Sequence, residues 1–213
     1  MLYSSTRGNA PARSLRELLS RGTAEDGGLY VSETWPELTP GELTTLGGQP
    51  YDQIASDVLA LFGGAEWQKG DFTAGIKHAL AGFERNDGPP LTRLNDQLWS
   101  MELFHGPTLA FKDYALAPLA EAIDRELALT GKRATVLCAT SGDTGAATAN
   151  AFAGRSRANA VILFPEGRVS DVQRKQMTCL GAKNVQAISV RGDFDDCQSI
   201  VKSLYQSEAA EKY

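Results

Sequence analysis

Hydrophobic and polar positions alternate most regularly in the last eighty residues. Short apolar runs predict three buried strands, and amphipathic segments predict a helix after each of them. The strands are 134–139, 159–164 and 184–190, and the helices are 145–153, 171–180 and 194–207. Consecutive strand–helix units imply parallel strands with right-handed crossovers, so this region is predicted to form an α/β layer. Ligands of such a layer bind outside the carboxyl ends of its strands.

The first ninety residues have a mostly helical pattern instead. Ser14 and Thr39 each precede a glutamate by three residues, which is the capping box that opens a helix. Two further stretches carry apolar residues at helical spacing. They are Ile54, Val58, Leu61 and Phe62, and Ile76, Ala79, Leu80 and Phe83. The sequence therefore predicts a mainly helical N-terminal region.

The strongest break in the chain is Asn-Asp-Gly-Pro-Pro at 86–90. A hairpin is predicted after it, with strands over 91–94 and 97–103. A long helix is predicted from about Phe111 to Thr130, and Pro118 is expected to kink or split it. The division is thus 1–88, 89–131 and 132–213, and the last helix runs into 208–213 without a stop signal.

A loop rich in hydroxyls and glycine, Thr140–Gly145, joins the strand ending at Ala139 to the next helix. Exposed N–H groups, small residues and hydroxyl donors at a helix N-terminus together favour an anion site. The alternative interpretation, an ordinary capped turn, is about as well supported by this loop alone.

Lys112 lies at the predicted start of the long helix, after a Gly-Pro turn and among apolar residues. Partial desolvation and the positive end of the helix dipole both favour the neutral amine, which is the form that reacts with an aldehyde. A lysine near a helix start is more often a solvated surface residue, so the pattern alone is weak evidence for catalysis.

Composition excludes several classes of protein. A net charge of −5 argues against nucleic acid as the main partner. The sequence shows no run of ~20 apolar residues and no secretory signal at its start. Its three cysteines form no C-x-x-C pair and read as free thiols in a reducing compartment. With only two histidines and no H-E-x-x-H motif, no metal is expected, and the absence of a G-x-G-x-x-G loop argues against a classical nucleotide site.

Five segments, in order along the chain, resemble the threonine synthase family, pyridoxal-phosphate enzymes of the tryptophan-synthase-β-like group. They are Tyr3–Gly8, Asp26–Val31, His105–Asp113, Ala139–Gly145 and Phe164–Ser170. The resemblance implies an α/β protein with the parallel units of a fold-type-II enzyme. Residues 1–88 would then be an N-terminal domain, 89–131 part of the large cofactor domain, and 132–213 the small domain.

The resemblance also implies roles for individual residues. Lys112 would form a Schiff base with pyridoxal 5'-phosphate and move protons on the substrate, with Phe111 beside it at the cofactor. The loop residues Thr140, Ser141, Gly142, Asp143 and Thr144 would hold the substrate α-carboxylate, although an acid there repels it, so Asp143 is expected to point away or to tune the loop. Arg168 and Ser170 are candidates for the substrate phosphate, with a capped helix and a solvated arginine as the alternative. For two other residues of these segments a structural role is favoured over contact with substrate: His105 is expected to fix its loop by a hydrogen bond, and Arg7 to pack the N-terminal segment against the core.

The implied reaction converts O-phospho-L-homoserine and water into L-threonine and phosphate in the cytoplasm. Partners would be that small substrate, with no nucleic acid and no membrane, in a monomer or weak homodimer. The glycine-rich cup for the cofactor phosphate is not visible, so the chain resembles the N-terminal half of such an enzyme and is expected to be inactive alone. A related dehydratase, or a non-catalytic anion-binding module, is the alternative.

Overall fold

The computed structural model describes residues 1–19, 21–64, 67, 72–205 and 207. The chain divides into two compact units, Met1–His78 and Ala79–Tyr213. Helices and strands occur in both, and the second unit holds a parallel sheet, so the predicted α/β class is confirmed. The three domains expected from the sequence stay a prediction. Residues 208–213, for which the sequence gives no stop signal, lie outside the described residues.

The first unit contains helices where the capping boxes predict them, together with an antiparallel sheet that the sequence did not predict. Its helices are α1 (Leu15–Leu18), α2 (Pro40–Leu46), α3 (Tyr51–Gly63) and α4 (Thr73–Leu80), whose last two residues belong to the second unit. Its strands are β1 (Leu2–Ser5), β2 (Arg13–Ser14) and β3 (Tyr30–Ser32), in the order β2-β1-β3. The strands are two to four residues long, too short for the alternation that identifies a strand.

Asp26 holds this sheet together from a loop. Its carboxylate accepts hydrogen bonds from the Ser5 hydroxyl at 2.7 Å and from the backbone N–H groups of Asn9 and Gly28 at 2.9 Å each. The Ser5 hydrogen bond is the main reason that the pKa of Asp26 lies below its ordinary value. Arg7 is exposed and donates to the Asp26 carbonyl at 3.0 Å, which ties the N-terminal segment to this loop, whereas its packing against the core stays a prediction. Two of the five family-like segments thus meet at one carboxylate.

The second unit begins with a hairpin and continues as alternating helices and strands. The hairpin is β4 (Leu91–Arg93) with β5 (Trp99–Met101), and α5 (Asp113–Thr130) follows, unbroken at Pro118. The layer then consists of β6 (Ala134–Ala139), α6 (Asp143–Phe152), β7 (Ala158–Pro165), α7 (Asp171–Thr178), β8 (Val185–Val190) and α8 (Phe194–Tyr205). Its strands are parallel in the order β6-β7-β8. The predicted strand–helix units are confirmed, and each predicted boundary lies within two residues of the observed one.

Two apolar clusters fill the layer. Ala120 and Leu127 of α5 pack with Phe152 of α6 and with alanines of β7. Ala146 and Ala149 of α6 pack with β7 and with Met177 of α7. Because α6 presents mostly alanine and glycine, it lies close to its neighbours, and its first residues are fixed at the carboxyl end of β6.

Asn184 joins the far end of the same layer. Its side chain accepts a hydrogen bond from the Gly154 N–H at 2.9 Å and donates to the carbonyls of Phe152 and Ala158, at 2.7 and 2.8 Å. One amide thus connects the end of α6, the start of β7 and the start of β8, so it stabilises the turn that follows α6.

Candidate active site

The segment His105–Lys112, here called the Lys112 loop, is wound around a buried carboxylate. Asp113 is 3% exposed, and it accepts hydrogen bonds from the Thr108 N–H at 2.8 Å and the Thr108 hydroxyl at 2.7 Å. A Cβ at position 106 would overlap the Asp113 side chain, so only glycine fits there. Leu109 has a φ of +62°, a conformation that costs a branched residue free energy. The surrounding hydrogen bonds and packing hold the loop in this shape despite that cost.

His105 fixes the first residue of the loop. Its Nδ1 lies 2.8 Å from a carboxylate oxygen of Glu84, and its Nε2 lies 3.1 Å from one of Glu102. These two hydrogen bonds, that of Glu84 first, raise the pKa of His105 above its ordinary value. The loop-fixing role expected for His105 is confirmed.

Lys112 is the N-cap residue of α5 and is half-buried. Its Nζ lies 4.3 Å from the centroid of the Phe111 ring, and that ring is 61% exposed. Among the described residues, no carboxylate forms an ion pair with Lys112. The predicted position of Lys112 at a helix start is confirmed, whereas the cofactor-binding roles of Lys112 and Phe111 stay predictions.

The Thr140–Gly145 loop follows β6 and owes its shape to one hydroxyl. Thr140 is 1% exposed, and its Oγ1 accepts from the N–H groups of Gly142 and Gly145 at 3.0 and 2.9 Å and donates to the Gly142 carbonyl at 3.1 Å. The Thr140 hydroxyl is therefore committed within the loop, and a contact of Thr140 with substrate would have to use its backbone. Gly142 has a φ of +152°, which other residues rarely adopt.

The remaining residues of this loop differ in exposure. Ser141 is exposed and Thr144 is half-buried at the start of α6. Asp143 accepts a hydrogen bond at 2.7 Å from the side-chain amide of Gln173 on α7. The acid is thus directed to a neighbouring helix, in line with the expectation that Asp143 points away or tunes the loop. The substrate-binding roles of these residues stay predictions.

Arg168 and Ser170 lie in the loop between β7 and α7, at the same sheet edge as the Thr140–Gly145 loop. Ser170 is the N-cap of α7, and its hydroxyl accepts from the Gln173 N–H at 3.2 Å. Arg168 is exposed, and the described residues offer it no ion pair. The capped helix and the solvated arginine that were the alternative interpretation are both present, and phosphate binding by these two residues stays a prediction.

Helix α7 brings the two loops together. Gln173 donates to Asp143 of one loop, and Gln176 donates at 3.0 Å to the Thr108 carbonyl of the other. From the sequence, Gln176 was given no role in the site, and Asp113 was recognised only as the last residue of the His105–Asp113 segment. For Gln173, the capping-box spacing after Ser170 was a usable signal, but it indicated only a helix start.

Two protein-family models match this chain and identify the family to which it belongs. The family model described as "Pyridoxal-phosphate dependent enzyme" matches residues 88–212, and the model described as "Threonine synthase N terminus" matches residues 2–80. The chain belongs to the family of pyridoxal-phosphate-dependent enzymes. Pyridoxal phosphate is the cofactor of this family, as the resemblance implied.

Individual members of the family resemble the chain along nearly its whole length. It is 41% identical over 208 residues to threonine synthase of Pseudomonas aeruginosa, a match covering 98% of this chain and 44% of that protein. It is 37% identical over 214 residues to threonine synthase of Schizosaccharomyces pombe, covering 95% and 41% respectively. The chain spans a little under half the length of these relatives.

Solved structures agree with the sequence comparison. A structure of pyridoxal-phosphate-bound threonine synthase from Brucella melitensis superimposes with a TM-score of 0.90 at 44% identity, over 98% of this chain and 45% of that one. Threonine synthase from Escherichia coli gives a TM-score of 0.86 at 30% identity, over 99% and 47%. The predicted resemblance to threonine synthases is confirmed, and these comparisons do not favour a dehydratase or a non-catalytic module.

Proposed function

We propose that this chain supplies the N-terminal part of a threonine synthase, which converts O-phospho-L-homoserine and water into L-threonine and phosphate by γ-elimination and β-hydration. The observation that carries the proposal is the joint attachment of two loops to α7. One loop presents the amine of Lys112, and the other presents hydroxyls and backbone N–H groups at the start of α6. The similarity to enzymes named threonine synthase supports the same assignment.

The residues of the Lys112 loop fit a cofactor that carries an aldehyde. Lys112 is half-buried, and its amine has no carboxylate partner among the described residues. The amine adjoins the exposed Phe111, whose ring offers an apolar surface to a flat aromatic ligand. When bound, pyridoxal phosphate supplies an electron sink for negative charge that develops on the substrate. Lys112 and Phe111 would hold it.

The chain's own residues then have separable tasks. We assign binding of the substrate α-carboxylate to Ser141, Thr144 and the N–H groups at the start of α6, where the helix dipole favours an anion. Thr140, Gly142 and Asp143 shape this loop. Arg168, with Ser170, would hold the substrate phosphate, because a guanidinium binds phosphate through two parallel hydrogen bonds. Lys112 would move protons at the substrate's Cα and Cβ.

Several broader properties belong to the same proposal. The fold would be of type II, with domains at 1–88, 89–131 and 132–213, and the 213 residues alone would be inactive. Among the described residues no helix is long and apolar enough to cross a membrane, and the three cysteines are free thiols. As the resemblance implies, the proposal is a cytoplasmic enzyme, monomeric or weakly dimeric, that binds neither nucleic acid nor membrane.

The test uses the natural protein, with whatever sequence accompanies these residues. Borohydride reduction followed by peptide mass mapping is expected to place the pyridoxyl group on Lys112, and O-phospho-L-homoserine is expected to yield equal amounts of phosphate and threonine. Lys112→Ala should abolish both results, whereas Lys132→Ala, at an exposed lysine beyond α5, should change neither. Labelling of another lysine would contradict the site. Keto-acid formation from threonine without phosphate release would favour the dehydratase instead.

A further inference from the structure

One face of α7 carries the hydrogen bonds to both loops of the candidate active site. Gln173 and Gln176 are three residues apart and therefore lie on the same side of the helix. Both are half-buried, and Met177 beside them is 2% exposed. A Cβ at Gly145 would come within 2.6 Å of the Met177 sulfur, so α7 and the start of α6 are in close contact.

We propose that Gln173 and Gln176 are positioning residues of the active site, which set the Thr140–Gly145 loop and the Lys112 loop relative to each other. The proposal rests on the proposed function for the identity of the substrate. Neither glutamine has to touch substrate for this role. Each acts through a hydrogen bond to a loop that the sequence and the family assign to binding.

Gln173 uses both ends of its amide at once. Its Oε1 accepts from the Ser170 N–H at 3.0 Å, which completes the capping box of α7, and its Nε2 donates to Asp143 at 2.7 Å. A glutamate would cap the helix equally well, since capping boxes accept either residue. It would, however, present a second carboxylate to Asp143. The acid in the loop therefore requires an amide at position 173.

Gln176 acts on the other loop through a partly buried hydrogen bond. Its Nε2 donates to the Thr108 carbonyl at 3.0 Å, and the N–H and hydroxyl of Thr108 both bind the Asp113 carboxylate. Thr108 is 8% exposed and Asp113 directly follows Lys112. A displacement of Thr108 would thus be passed to the residue next to the amine, through hydrogen bonds that water does not reach.

Loss of the hydrogen bond made by each glutamine should cause a different kinetic defect. Loss of the Gln173 bond frees the loop that binds the α-carboxylate, so it should raise KM for O-phospho-L-homoserine with a smaller change in kcat. Loss of the Gln176 bond disturbs the loop that carries Lys112, so Gln176→Leu should lower kcat and weaken pyridoxal-phosphate binding. A merely structural contribution would lower stability without this division between KM and kcat.

The decisive experiment exchanges donor and acceptor between Gln173 and Asp143. Gln173→Glu keeps the cap but opposes two carboxylates, and we expect it to raise KM about ten-fold, as for loss of a hydrogen bond to a charged group. Adding Asp143→Asn gives the pair a new donor. The KM of the double variant should therefore lie close to that of Asp143→Asn alone, because Gln173→Glu costs little in that background. Gln186→Glu makes the same change at an exposed position of β8 and should leave KM unaltered.

A second measurement does not depend on turnover. Hydrogen exchange at the Gly142 and Gly145 amides should become faster in Gln173→Glu and return towards the original rate in the double variant. Effects on KM and exchange that simply add in the double variant would overturn the proposal, as would unchanged exchange in Gln173→Glu. If the unaltered protein releases no phosphate, the proposed function fails, and the exchange measurements still decide whether Gln173 positions the loop.

Discussion

Thr140 and Ser141 are neighbours in one loop but should fail in different ways when altered. Thr140→Val keeps the volume and branching of the side chain and removes only its hydroxyl. The Gly142 N–H then loses its acceptor in a site that is 1% exposed at residue 140, whereas the Gly145 N–H keeps its second acceptor, the Gly142 carbonyl, at 3.1 Å. An unsatisfied buried donor costs roughly 1–3 kcal/mol. Because only the Gly142 N–H is left without an acceptor, we expect the free energy of unfolding to fall by about 2–3 kcal/mol.

Urea unfolding followed by circular dichroism measures this change, with Thr140→Ser as the matched control. The serine retains the hydroxyl and loses one buried methyl group, which is worth about 1 kcal/mol. Thr140→Val should also raise KM for substrate, since the N–H groups at the start of α6 are no longer held in place. If Thr140→Val were as stable as the unaltered protein, or if Thr140→Ser cost as much as Thr140→Val, the hydroxyl would not be the element that shapes the loop.

Three further outcomes follow from other residues. Ser141→Ala should raise the Kd for substrate roughly ten-fold or more and leave cofactor absorbance and the unfolding midpoint unchanged, because this hydroxyl is exposed; unaltered affinity would contradict its role. For His105, the raised folded pKa means that its stabilisation is complete below the unfolded pKa and is lost as pH rises through the folded one. The destabilisation caused by His105→Ala, measured by urea unfolding, should therefore be larger at pH 6 than at pH 9. Asn184→Ala removes three hydrogen bonds and should lower the free energy of unfolding by about 2 kcal/mol; a change below the error of the measurement would show that water replaces them.

The parallel layer was predictable because its signals are local. Each strand is a short apolar run, and the capping box of Ser170 and Gln173 predicts where α7 begins. The spacing of such signals gives the order of the elements along the chain. The sheet of the first unit was missed because β1, β2 and β3 are short and depend on Asp26, a loop residue more than twenty positions from its hydroxyl partner Ser5. No window of neighbouring residues contains that information.

The residues of the candidate site were likewise predictable only where the signal lies within a few neighbouring residues. Lys112 and the Thr140–Gly145 loop were identified from motifs within a few residues. The bond from Gln176 to Thr108 joins residues 68 positions apart, and nothing in either local sequence requires it. Asp113 was visible in its motif as an acid at a helix start, but its burial against Thr108 comes from the tertiary fold.

The small residues of α6 have a consequence for how this enzyme can change during evolution. Every buried position of the helix except Phe152 is glycine, alanine or threonine, and a larger side chain there would cost about 1–3 kcal/mol by overpacking. The proposed anion-binding end of α6 is therefore fixed relative to the sheet, and substitutions at the buried positions of the helix offer no route to a different substrate. Exposed neighbours such as Ser141 and Arg168 are free to vary without that cost. New specificities should arise at these loop positions, while the helix behind them stays invariant in size.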